Sequence, residues 1–138
     1  MSTRSQVHFI NSGVYLYQHH DGYDLPHRVQ NAISKNVRWN DEEYLTRIVF
    51  DSMKSEMEAY LKKEYGEEPH TGYGIGTSRH GDIEYLVTID CAAQQIEVLE
   101  GFGNDMDSSW KGAFEDYSKL SLSESGFDVL EIPPRGTQ

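Results

Sequence analysis

A chain of 138 residues with 37% hydrophobic and 12% aromatic residues is the size of one domain and can enclose one core. Its 23 acidic and 12 basic side chains give a net charge of −11, a field that repels phosphate backbones and predicts no direct nucleic-acid binding. No run reaches the length of an apolar membrane helix, so no membrane contact is expected.

Chain order gives the elements. Residues 6–10 and 14–18 alternate and are rich in aromatics, and Asn11-Ser12-Gly13 between them tolerates positive φ, so they predict a hairpin. A loop over His19–Tyr23 leads to a short helix, with Asp24 as N-cap, Pro26 in its first turn, and Val29, Ala32 and Ile33 on one side. Asn40 and Glu43 have capping-box spacing, and Leu45, Ile48, Val49, Met53, Met57, Tyr60 and Leu61 recur every three or four residues. These predict a long amphipathic helix over about 41–65, closed by Lys62, Lys63 and Gly66.

Strands are expected again at 71–78, 83–90 and 95–102, arranged as an antiparallel meander with Ile83, Tyr85, Val87 and Ile89 inward and Leu86 outward. Residues 101–107 read as a loop. Trp110, Phe114 and Tyr117 have helical spacing and predict a helix over 110–120. Residues 127–132 predict a last strand, and Pro133-Pro134 ends ladder bonding ahead of a mobile tail over 134–138. Strands in runs with helices between them argue an α+β domain, 1–138, of five or six antiparallel strands with one long and two shorter helices packed on the sheet.

Six histidines and the acids near them raise a metal reading, because imidazole and carboxylate are ligands for zinc and iron. The spacing lacks His-Glu-x-x-His, a Cys pair, or two His on one strand face, so no metal or other cofactor is expected. The run Gly72-Tyr-Gly-Ile-Gly76 is neither a dinucleotide fingerprint nor a phosphate-binding loop. Alternate glycines in a strand more simply leave one face bare for close approach of a helix or an aromatic ring. Cys91, the one cysteine, has no basic neighbour in sequence to activate it and reads as a core thiol. It forms no internal disulfide, and the first residues carry no apolar signal core, so a cytoplasmic protein, bacterial or in an infected host cell, is expected. No catalytic constellation emerges.

The segment Tyr17-Gln-His-His-Asp-Gly-Tyr23 resembles a Tyr-x-His-x-Asp-Gly-Tyr stretch in small uncharacterised proteins of tailed bacteriophages and prophages. The likeness extends over about residues 5–100, with Thr71-Gly-Tyr-Gly-Ile75 and His80-Gly-Asp-Ile-Glu-Tyr85 as its later part. Those proteins place Pro directly after the last Tyr, whereas Asp24-Leu25 intervene here before Pro26. The family carries no activity to transfer; it implies a viral accessory protein.

Two functions from different classes follow. The first is a non-catalytic binder or inhibitor of a host protein with a basic surface, such as a defence or nucleic-acid-handling complex. Its charge argument is that residues 82–132 hold twelve acidic side chains against Lys111 and Lys119 alone, although such a surface also simply keeps a small protein soluble. The second is a small enzyme or ligand-binding domain at the His19–Tyr23 turn and the Gly72–Gly76 strand. Candidate binding residues under either reading are His19, His20, Asp21, Tyr23, Tyr73, His80 and Asp82, and a homodimer is compatible with both.

Overall fold

The computed structural model describes residues 3–19, 22–65, 72–102, 105–122 and 129–131. Its elements are β1 (Ser5–Phe9), β2 (Val14–Gln18), a 3-10 turn (Gly22–Asp24), α1 (Leu25–Ser34), α2 (Glu42–Tyr65), β3 (Tyr73–Gly76), β4 (Tyr85–Asp90), β5 (Gln95–Phe102), β6 (Asp105–Ala113), α3 (Phe114–Tyr117), β7 (Ser121–Leu122) and β8 (Val129–Glu131). Six strands form one sheet in the order β3-β2-β1-β4-β5-β6, and β7 pairs separately with β8. The architecture is α+β, with a mostly antiparallel sheet. The expected tail, 134–138, lies outside the described residues.

The β1–β2 hairpin follows the sequence pattern: Gly13 takes φ +84° and donates its N–H to the Phe9 carbonyl at 2.8 Å. Of the expected meander, the antiparallel β4–β5 pair forms, but β3 is not beside β4. β3 pairs with β2 at one edge, and β1 stands beside β4 as the one parallel pair. Inserting the hairpin between β3 and β4 is a non-local choice, and adjacency in sequence only favours adjacency in space. Residues 77–84 must therefore cross from one edge of the sheet back to its middle. Leu86, expected to face solvent, is buried on the crossed face, in register with Gln6.

The second correction concerns residues 105–113. They form β6, paired with β5 along its whole length, instead of a loop followed by a helix. Pairing supplies partners for one row of β5 backbone groups, an obligation that outweighs the spacing of three aromatic residues. Trp110 and Gly112 then share the inner face, and the Trp110 ring covers Gly112, where a β-carbon would meet it at 2.7 Å. α3 begins only at Phe114, and the Tyr117 ring still meets Trp110 at 5.4 Å.

All three helices cover one face. Val7, Phe9, Leu16, Val87, Ile89, Ile96 and Val98 of the sheet pack under Leu25, Val29, Ala32 and Ile33 of α1, Leu45, Val49 and Met53 of α2, and Phe114 and Tyr117 of α3, all buried. Ile48 is only half-buried, and the side chains of Met57, Tyr60 and Leu61 lie outside those described. Helix caps differ from expectation. The Asp41 carbonyl, not that of Asn40, accepts the first bond of α2, from Leu45 N–H at 2.9 Å. Asp24 makes no side-chain cap; its carboxylate turns to Arg28 at 3.3 Å.

Polar atoms inside this layer are used as ties. Buried Arg28 donates to the Met53 carbonyl at 2.9 Å, and Ser52 Oγ donates to the Arg28 carbonyl at 2.6 Å, joining α1 to α2. The Tyr117 hydroxyl donates to the Pro26 carbonyl at 2.7 Å, joining α3 to α1. Each such bond adds only about 1 kcal/mol net, but a partner left unpaired in this core costs more.

Candidate binding site

Alternation along β2 sends Leu16 and Gln18 under the helices and Tyr15 and Tyr17 to the opposite, helix-free face. The register continues that face through Gln6 and His8 on β1 and Gly74 and Gly76 on β3. Over it runs the 77–84 crossover, held by the Gln6 carboxamide. Gln6 Nε2 donates to the Ser78 carbonyl at 3.1 Å, and the His80 N–H donates to Gln6 Oε1 at 2.9 Å. Gln6 is 1% exposed, so one buried amide does for the crossover what a strand partner would do.

This clamp sets the His80 ring on the Tyr17 ring, centroids 4.5 Å apart and planes inclined by 29°. The Tyr17 hydroxyl shares a hydrogen bond with His19 Nδ1 at 2.8 Å. The Arg4 guanidinium acts on Tyr17 electrostatically and forms an ion pair with Asp82, Nε to Oδ2 at 3.3 Å. Tyr17 is thus the hub of a chain of contacts, Asp82–Arg4–Tyr17–His19, with His80 stacked above it. Burial raises the Tyr17 pKa; Arg4 opposes the rise and Asp82 adds to it. The phenol therefore stays neutral at physiological pH.

A second stack lies beside the first. The His8 and Tyr15 rings are 4.0 Å apart and within 4° of parallel. Burial lowers the His8 pKa, and the charge of Glu42 partly offsets this. At the sheet edge the glycines leave open space. A β-carbon on Gly72 or Gly76 would meet nothing within 4 Å, and one on Gly74 only the Tyr17 Cβ at 3.9 Å. Among the described residues no helix or ring makes the expected close approach to these glycines, which form a strip beside the aromatic rings.

Of the candidates, His19, His80 and Asp82 converge on this face, with His80 lying 61 residues beyond His19 in sequence. Tyr73 does not join them. It lies on the helix side, its ring edge-on to Phe50 at 6.4 Å and 86°. His20 and Asp21 lie outside the described residues, and of Tyr23 only the backbone, within the 3-10 turn, is described. Sequence reasoning missed Arg4, Gln6, His8, Tyr15 and Tyr17 as site residues. The period-two pattern Tyr15-Leu16-Tyr17 was the available signal, since it opposes both rings to a core leucine.

Among the described residues, no group of three His, Cys, Asp or Glu side chains is arranged to hold a metal ion. Cys91 is buried, and its pKa is pushed up to about 12 by burial first and then by Glu42, Asp90 and Asp41. Its thiol has the opposite of the electropositive setting that makes a nucleophile. No helix of the described chain is long and apolar enough to cross a membrane. No family model matches the sequence, and neither a curated protein nor a solved structure proves similar to it.

Proposed function

We propose that this chain is a phage-encoded accessory protein that binds a host protein without catalysing a reaction, and that the helix-free face around Tyr17 is the contact surface. The observation that carries this reading is the Tyr17 cluster, in which His80 and His19 hold one ring in place on a sheet face that none of the described helices covers. Fixed, amphipathic rings on a rigid support lose little entropy on binding, which is why they anchor interfaces. The resemblance at Tyr17–Tyr23 supports a viral origin, and a bacterial or infected-host cytoplasm is the corresponding compartment. Exposed Asp105 and Asp107 on β6 add negative charge of the kind a basic, nucleic-acid-handling host surface attracts.

The test is affinity capture from host lysate, followed by titration of the captured protein against His19→Ala and His80→Ala. Both variants should weaken binding by more than about 1 kcal/mol with melting temperatures nearly unchanged. Normal binding by both would move the contact surface to the acidic β5–β6 hairpin.

A second reading, a small enzyme or ligand-binding domain, is favoured by the 2.8 Å bond between Tyr17 and His19, a donor–acceptor pair of the kind used in proton transfer. A small molecule that shifts the melting temperature of the parent but not of Tyr17→Phe would favour it.

A further inference from the structure

We propose that β3 pairs antiparallel with β3 of a second copy, about a two-fold axis at Ile75, joining the two six-stranded sheets edge to edge. This inference rests on the edge itself and is independent of the reading of the Tyr17 face.

The ladder fixes which backbone groups are involved. His19 N–H donates to the Gly72 carbonyl, so in this antiparallel pair Gly72, Gly74 and Gly76 turn their backbone groups toward β2. Ile75 then directs its N–H and C=O away from the sheet. Its side chain, on the helix side of the sheet, is 67% exposed, the most exposed large hydrophobic residue among those described. An uncharged, apolar edge with outward backbone groups is a template for another strand.

The two edges of the sheet are treated differently. β6, at the far edge, carries Asp105, Asp107 and Lys111 and pairs with β5 through a register shift at Val98/Leu99, both devices that discourage further pairing. β3 has neither device, and residues 72–78 hold no charged side chain.

Pattern selects a second copy as the occupant, and charge selects where on it the contact falls. Two chains of net charge −11 repel each other over most of their surfaces, and this uncharged stretch is where such repulsion is weakest. The alternation Gly72-Tyr-Gly-Ile-Gly76 suits antiparallel self-pairing. With Ile75 on the axis, Ile75 meets Ile75 of the second copy through reciprocal N–H to C=O bonds, and Gly74 faces the second copy's Gly76. The helix-side faces gain an Ile–Ile cross-strand contact, a favoured type. The opposite faces meet through glycines: among the described residues, a β-carbon on Gly72 or Gly76 would meet nothing within 4 Å. Symmetry requires only one patch, used twice.

One strand pair buries little area, so the dimer is concentration-dependent. Sedimentation equilibrium over a wide concentration range should show the average mass climb from 15.8 kDa toward twice that value. Ile75→Lys, an edge-protecting change at an exposed position, and Ile75→Pro, which removes an N–H that β2 does not use, should both hold the mass at 15.8 kDa with the same circular dichroism and melting temperature. Should the proline variant unfold, the lysine variant decides. A parent that stays at 15.8 kDa at its highest attainable concentration overturns the proposal, as does self-association that persists in folded Ile75→Lys.

Discussion

A β-carbon placed on Gly22 would lie 2.5 Å from the Thr3 carbonyl oxygen and 3.0 Å from Cβ and Oγ of Ser5. The same carbonyl accepts the Gly22 N–H at 2.8 Å, so the turn after β2 is fastened to the chain just before β1. Glycine is required here by close approach: Gly22 is not among the residues with positive φ, and the obstructing atoms belong to backbone and strand, which yield little. Gly22→Ala should lower stability by about 1–3 kcal/mol, the usual range for forced overpacking. A denaturant melt that matches the parent would show that the turn can shift without cost. The Asp21-Gly22 pair marks a turn in the sequence alone, but the reason for the glycine is an atom 19 residues away in the chain.

At the scale of elements, the first half of the 77–84 crossover leans on one side chain. Its last residue, Glu84, is tied by backbone, donating to the Arg4 carbonyl at 2.8 Å and accepting from Gly101 N–H at 3.0 Å, whereas Ser78 and His80 are held by a donor and an acceptor of Gln6 beneath them. Gln6→Leu keeps a similar volume and removes both bonds. The loss should be about 1–3 kcal/mol, because water reaches the exposed Ser78 and His80 and replaces part of what is lost. The sharper readout is local. Amide hydrogen exchange over 77–84 should accelerate in Gln6→Leu while the core strands keep their protection. Unchanged protection at 77–84 would mean that the Arg4–Asp82 ion pair and the Tyr17–His80 stack hold the crossover without Gln6. The same comparison tests the candidate site, because His80 owes its position over Tyr17 to this clamp.

At the scale of the whole molecule, two groups give stability a pH dependence at opposite ends. Burial holds the His8 pKa below its ordinary 6.5, so the unfolded chain takes up a proton that the folded one resists. Stability from this group is complete above pH 6.5 and is lost as pH falls through the depressed folded value. Cys91 acts in reverse. Its thiol pKa is raised from 9.0 to about 12, so its contribution is complete below pH 9.0 and is lost as pH rises toward 12. Urea melts across roughly pH 5 to pH 8 should show a shallower acid decline in His8→Phe, which keeps a ring against Tyr15, than in the parent. Equal acid slopes would place the titrating group elsewhere. Taken together, these two groups add most to stability between about pH 6.5 and pH 9.

The sequence by itself determined what depends on near neighbours. The β1–β2 hairpin could be read from alternation around Asn11-Ser12-Gly13, and the Leu45, Val49 and Met53 side of α2 from its three- and four-residue spacing. His19, His80 and Asp82 were singled out as residue types, yet nothing in their spacing joined them to one another or to Tyr17. Tertiary structure decided everything that turns on which strand lies beside which. Placing β1 between β2 and β4 sent the crossover over the helix-free face, brought His80 onto Tyr17, and put Tyr73 on the other side of the sheet. Pairing with β5 drew residues 105–113 into a strand against their helical spacing. The physical reason is common to these cases. Side-chain periodicity is a local property that survives in the sequence, whereas backbone hydrogen-bond partners are chosen among distant segments by what the completed sheet can satisfy.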